Sequence, residues 1–278
     1  MKPAENSPWQ ALAASKVFKR TVMILLLAPV AILIVWFGGR MFSALIAFTS
    51  IVLVFEWTRI VDRTEFSTAF YVLSFTAISS IFLAAGGSYQ LAYATALAGG
   101  LISAISERLK GRSSQWPMIG IFYLIMPCIA FVWIRNGPET GRSLTLLLLV
   151  AVWATDIGAY VFGKMIGGPL MAPAISPGKT WAGAFGGILT AMTCCSFIAL
   201  LGSENWSIWV LAMIGISLSI ATIVGDFAES ALKRYFGIKD SGGFIPGHGG
   251  LLDRLDGMLF ATAALALVLF IYSFTSTG

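Results

Sequence analysis

Apolar runs of near-uniform length dominate this chain, and they restrict it to one kind of fold. Nine follow one another, over residues 21–37, 41–57, 66–85, 88–106, 116–134, 143–162, 181–201, 206–225 and 252–274. Each is close to the roughly 20 residues that a helix needs to cross a bilayer. Hydrophobic residues make up 58% of the chain and charged residues 11%, with a mean hydropathy of +0.86. A soluble domain carries roughly 25% charged residues. Lipid offers the backbone no hydrogen-bond partner, so each span must satisfy its own amides as a helix. The pattern predicts an all-α integral membrane protein with about nine transmembrane helices. It is read as one polytopic domain over residues 1–278, with residues 1–20 as a cytoplasmic tail.

Lys16, Lys19 and Arg20 before the first run look like the charged start of a secretory leader. The run is long for a leader, and no small-x-small cleavage site follows it, so the expectation is a retained helix. The fourth run is the weakest, because it contains Gly99-Gly100 and several polar residues. The connections at Gly38-Gly39-Arg40 and Gly86-Gly87 are short enough to make their flanking helices antiparallel hairpins.

Placing the N-terminus in the cytoplasm puts all but Arg40, Arg135 and Arg142 of the 18 lysines and arginines on the cytoplasmic side. Such a bias orients a membrane protein. With nine spans it puts the C-terminus outside. The net charge of +5 is read as this orienting excess and not as a nucleic-acid surface. Cys128, Cys194 and Cys195 all lie in apolar runs without metal-ligand spacing. They are expected to be small buried hydrophobes, with no disulfide.

Most carboxylates fall in loops or the tail, and Glu107 is expected on a solvated face. Glu56, at the end of the second run, is expected at the interface. Five others stand inside or at the ends of apolar helices: Asp156, Asp226, Glu229, Asp253 and Asp256. Ionisable groups there are costly, so they mark function by default. The alternating topology brings all five toward the cytoplasmic side. Asp156 falls about two turns, or ~10 Å, before the end of its helix. Spacings of three put Asp226 with Glu229, and Asp253 with Asp256, on shared helix faces. Such an oxygen-rich cage suits a hard cation such as Mg²⁺, which recruits substrate phosphates. A second cation beside it is left open.

Residues 230–256 add cations and open backbone to these acids. Lys233, Arg234, Lys239 and Arg254 could hold phosphate groups, with Asp240 supporting. Gly249 and Gly250 let backbone amides approach a ligand closely. His248, the only histidine of the chain, is expected as a phosphate contact or proton relay; the alternative is a loop histidine capping a turn. Upstream, Ser176, Lys179 and Thr180 precede the seventh run. An N-terminal helix end with a lysine and two hydroxyls would form a phosphate cradle, whereas a plain helix cap is the simpler reading.

The order Ser230-x-aliphatic-Lys233-Arg234, four residues, Lys239-Asp240, then Pro246-x-His248-Gly249-Gly250-aliphatic-x-Asp253-Arg254-x-Asp256 resembles the signature of the phosphatidate cytidylyltransferase, or CDP-diacylglycerol synthase, family. The block Gly225-Asp226-x-x-Glu229-Ser230 is similar to that family too. Ser176-Pro177-Gly178-Lys179-Thr180-Trp181-Ala182-Gly183 departs from it. Gly178 stands where the family has lysine and Ala182 where it has glutamate, so no role is carried to those two positions. The resemblance covers roughly residues 150–260.

It implies transfer of the cytidylyl group of CTP to phosphatidic acid, giving CDP-diacylglycerol and pyrophosphate in phospholipid biosynthesis. It implies a site facing the cytoplasm, in a bacterial inner membrane. In this reading Asp226, Asp253, Asp256, Lys239 and His248 are catalytic. Asp226, Asp253 and Asp256, with Glu229, hold metal. Ser176, Lys179, Thr180, Lys233, Arg234, Gly249, Gly250 and Arg254 bind substrate, and Asp156 and Asp240 support them. A homodimer is left open. A CDP-alcohol phosphatidyltransferase would need an arginine and further aspartates after Asp256-Gly257, where this chain has Met-Leu-Phe-Ala-Thr. A proton-coupled transporter would place its acids near the midplane, with an internal repeat.

Overall fold

The computed structural model describes residues 29–201, 206–242 and 249–276. Helical residues 29–37 lead into eight further helices. They are α1 (Gly39–Asp62), α2 (Thr68–Ala85), α3 (Tyr89–Leu109), α4 (Gln115–Asn136), α5 (Gly141–Ile166), α6 (Trp181–Leu201), α7 (Ile208–Tyr235) and α8 (Leu252–Ser276). Between α5 and α6 stand two short antiparallel strands, β1 (Leu170–Ala172) and β2 (Ser176–Thr180). The eight helices follow eight of the nine predicted runs in order. Of the first run, residues 29–37 are described and helical, and residues 21–28 lie outside the described residues.

Seven helices of the described residues are long and apolar enough to cross a membrane; α3 is not among them. Its Gly99-Gly100 pair instead lets neighbours close in. A side chain at Gly99 would run into Thr76 of α2, and one at Gly100 would lie 2.6 Å from Ile121 of α4. Between helices in lipid there is little hydrophobic drive, so close packing through small residues carries association. The same device joins α5 to α6. A side chain at Gly187 would lie 2.9 Å from the Thr155 carbonyl oxygen, and one at Gly183 would lie 2.8 Å from that of Ala159.

The bundle has two chemically distinct ends. At one end, Arg135 donates to the carbonyls of Val35 (2.5 Å) and Trp36 (3.1 Å), and the Arg142 guanidinium lies 4.6 Å from the Trp36 ring centre. Arg40 begins α1 at this same end, so the three cations that the charge rule set apart are gathered together. The other end collects the C-termini of α1, α5 and α7 with the N-termini of α4, α6 and α8. The Trp116 ring of α4 packs on Tyr235 and Phe236 at the end of α7 (5.3 and 4.8 Å).

The cysteines are free thiols: Cys128 and Cys195 are buried and Cys194 is half-buried. Glu107 does not face solvent. It is 1% exposed and pairs with Lys110 and Arg112 at 3.3 and 3.4 Å. These partners come from the turn that ends α3, which folds back over it.

Candidate active site

Helices α7 and α8 form the centre of the site, and two glycines set their separation. A side chain on Gly225 would lie 2.6 Å from the Asp256 carbonyl oxygen. One on Gly257 would lie 2.7 Å from Thr222 and 3.0 Å from the Asp226 carboxylate. The bare glycines therefore let the two backbones touch and bring Asp226 beside Asp256.

Two lysines tie the acids together. Lys233 Nζ lies 2.5 Å from Glu229 Oε2 and 2.9 Å from Asp253 Oδ1, linking α7 to α8. Lys179 Nζ, from β2, lies 2.6 Å from Asp226 Oδ2 and 4.8 Å from the centre of the Phe227 ring. Asp253 also accepts from the backbone N–H groups of Ser241 (3.3 Å to Oδ1 and 3.2 Å to Oδ2) and Gly250 (3.0 Å). A carboxylate in the first turn of α8 also meets the positive end of that helix.

The remaining predicted residues surround this centre unevenly. Asp156 of α5 points into a cavity of about 400 Å³, whose wall includes Lys179, Thr180, Lys164 and Asp226. Ser176, Lys179 and Thr180 are on a strand, not on the expected helix end, because β2 pairs with β1 in front of α6. Thr180 does cap α6, its hydroxyl accepting from the Gly183 N–H at 3.1 Å. Arg234 ties the hairpin to α7 by donating to the Ile175 carbonyl at 3.3 Å. Lys239 and Asp240 are exposed on the connection after α7, and Arg254 is exposed on the first turn of α8. His248 lies outside the described residues. The amide of Gly250 is already spent on Asp253, and Gly249 has a left-handed backbone, φ +81°. Both glycines therefore shape the turn into α8.

Glu56 departs from its interfacial expectation. It is 1% exposed and reaches across from α1 to the start of α8. Its Oε1 accepts from the Leu251 N–H at 2.8 Å and its Oε2 from the Leu252 N–H at 2.7 Å. The Ser241 hydroxyl approaches Oε2 at 3.4 Å. A carboxylate thus satisfies the open amides of a helix start and complements its dipole. A side chain at Gly250 would run into Ser241 Oγ and lie 2.7 Å from Glu56 Oε2. The glycine is what leaves room for the clasp. The available signal was a lone carboxylate flanked by Val54, Phe55 and Trp57.

The donor set suits a hard cation in its chemistry. It is all carboxylate, and Glu229 Oε1 is buried with no hydrogen-bond partner among the described residues. Among those residues no three acidic, imidazole or thiol side chains are gathered as a metal site. Lys179 and Lys233 stand between the carboxylates instead.

The fold and this site define a polytopic helical membrane protein with charged groups of both signs at one end of its bundle. The profile of the cytidylyltransferase family matches residues 18–272. The phosphatidate cytidylyltransferase of Brucella melitensis biotype 1 is 35% identical over 252 residues, covering 89% of this chain and 91% of that relative. The one from Staphylococcus epidermidis is 40% identical over 141 residues, covering 51% of this chain and 54% of the relative. The chain belongs to the cytidylyltransferase family, and it is a nucleotidyltransferase of the membrane.

Proposed function

We propose that this enzyme transfers the cytidylyl group of CTP to phosphatidic acid. A phosphate oxygen of the lipid forms a bond to the α-phosphorus of CTP. The bond from that phosphorus to the oxygen bridging to the β-phosphate breaks, and pyrophosphate leaves with the electron pair. CDP-diacylglycerol remains in the bilayer. The observation that carries the reading is the meeting of Asp226, Glu229 and Asp253 with Lys179 and Lys233 beside an open cavity of about 400 Å³. Transfer at phosphorus needs positioning and charge neutralisation more than a protein nucleophile.

Lys179 and Lys233 are the cations nearest the acids, and each is available to a phosphate that competes with its carboxylate partner. Asp226, Asp253 and Asp256, with Glu229, are the oxygens that would hold Mg²⁺, which supplies charge neutralisation at the phosphates. The charge bias along the sequence supports a site on the cytoplasmic face of a bacterial inner membrane. A soluble nucleotide and a two-chain lipid can both reach that boundary.

The test uses purified protein in detergent, dioleoyl phosphatidate and α-labelled CTP, with Mg²⁺ or with EDTA. The expected result is label in a CDP-lipid with Mg²⁺ and none with EDTA. Folded protein that leaves all label in the aqueous phase would overturn the reading. Undiminished labelling in EDTA would overturn the metal assignment alone.

A further inference from the structure

A second cavity, of about 360 Å³, lies on the opposite flank of α7. Its walls include Trp57 of α1, Phe122 and Tyr123 of α4, Ala228 and Leu232 of α7, and Phe260 of α8. On α7, Ile223 and Asp226 face the polar cavity, Ala228 and Leu232 face this apolar one, and Glu229 and Lys233 stand between them. One helix therefore divides a polar chamber from a greasy one, with the ion pairs on the dividing ridge.

A break in α4 shapes the groove. Pro127 has no N–H, and its ring crowds the carbonyl of the residue four before it, which is Tyr123. The helix widens there into a π-turn over Ile121–Ile125, where the Met126 N–H donates to the Ile121 carbonyl. Such turns are frequent at functional sites. This one seats the Tyr123 ring 5.6 Å from Trp57 and 5.7 Å from Phe260, centre to centre. The Trp57 indole N–H is spent on the Trp116 carbonyl at 3.3 Å. The Tyr123 hydroxyl is buried and has no hydrogen-bond partner among the described residues. Buried as it is, the hydroxyl lies behind the wall, and only the ring of Tyr123 lines the groove.

The groove is open sideways, since Phe122 on its rim is 56% exposed within a membrane-spanning helix. Tyr123 and Phe260 lie eight residues from the site-end termini of α4 and α8, about 12 Å along each helix. An apolar slot at that depth, on the flank of the helix that carries the Glu229–Lys233 ion pair, fits a hydrocarbon chain whose phosphate stays at the charged end. We propose that the groove takes an acyl chain of the phosphatidate substrate. This rests on the phosphatidate reading above. Bulk bilayer phospholipid is the competing occupant.

Two measurements test it in phosphatidylcholine-containing micelles. The first is photo-crosslinking with a phosphatidate that carries a diazirine in its acyl chain, without CTP. Label is expected in residues 119–127 or 259–263, suppressed by excess dioleoyl phosphatidate and not by added phosphatidylcholine. Label elsewhere, or equal suppression by both lipids, would overturn the proposal. The second is Ala263→Phe, at an exposed position of the groove wall. The thermal midpoint should stay unchanged. The ring fills part of the slot, so the KM for dioleoyl phosphatidate should rise about tenfold, the transfer cost of about two methylenes, with the KM for CTP unchanged. An unaltered lipid KM would refute the groove as the acyl site. The crosslink needs no turnover, so it decides the groove even if CTP proves not to be the nucleotide.

Discussion

Glutamine at position 56 would keep the shape of Glu56 and remove the charge that clasps the start of α8. In the native protein one buried carboxylate accepts from the Leu251 and Leu252 amides at 2.8 and 2.7 Å, with the Ser241 hydroxyl at 3.4 Å. An amide has one acceptor oxygen, so its NH₂ would face an N–H and leave that backbone donor unsatisfied. The lost charge-assisted bond is worth about 1.5–3 kcal/mol and the stranded donor about 1–3 kcal/mol. The two overlap, so a loss of about 3 kcal/mol is a fair expectation. Each 1.36 kcal/mol is tenfold, so the docked state of the turn should fall by about 100-fold relative to undocked states.

Glu56 sits among no reacting groups, but the turn it holds contains the Gly250 amide that fixes Asp253. Glu56→Gln should therefore lower kcat/KM for CTP by about 10- to 100-fold in the labelled-CTP assay. Hydrogen exchange provides a check that does not depend on activity. The Leu251 and Leu252 amides should exchange about 10- to 100-fold faster in the variant, with α2 and α5 unaffected. Wild-type exchange at both amides would refute the clasp. Faster exchange with wild-type kcat/KM would refute its link to Asp253.

Asp253→Asn should abolish turnover while the protein stays folded and inserted. Measurable activity in detergent would remove Asp253 from the assigned metal ligands. Gly225→Ala places a methyl carbon 2.6 Å from the Asp256 carbonyl oxygen, an overpacking that costs about 1–3 kcal/mol. It should lower the thermal midpoint and depress kcat together, and a neutral result would mean that the α7–α8 approach is not what places Asp226 beside Asp256. Cys195 is 0% exposed and packs on Gly215, so Cys195→Ala should cost about 1 kcal/mol and leave turnover largely intact. A large loss of rate would contradict a purely packing role.

The membrane class, the helix order and the identity of the acidic cluster were legible in the chain, because each rests on local rules. Apolar length dictates a span, and a carboxylate inside such a run must have a reason to be there. That logic reached Asp226, Glu229, Asp253 and Asp256 without knowledge of their neighbours. It could not reach Glu56, whose partners lie 185 to 196 residues away and whose place at the end of an apolar run reads as interfacial. Nor could it place Lys179 on a strand, since Ser-Pro-Gly-Lys-Thr carries no strand pattern. Its pairing follows from the open backbone between α5 and α6 finding a partner in residues 170–172. The groove beside Tyr123 also escaped a linear reading, because four helices must meet before it exists. Local polarity and period belong to the sequence. Which buried charge meets which amide, and how close two helices stand, depend on contacts between distant segments, and only the tertiary structure decides them.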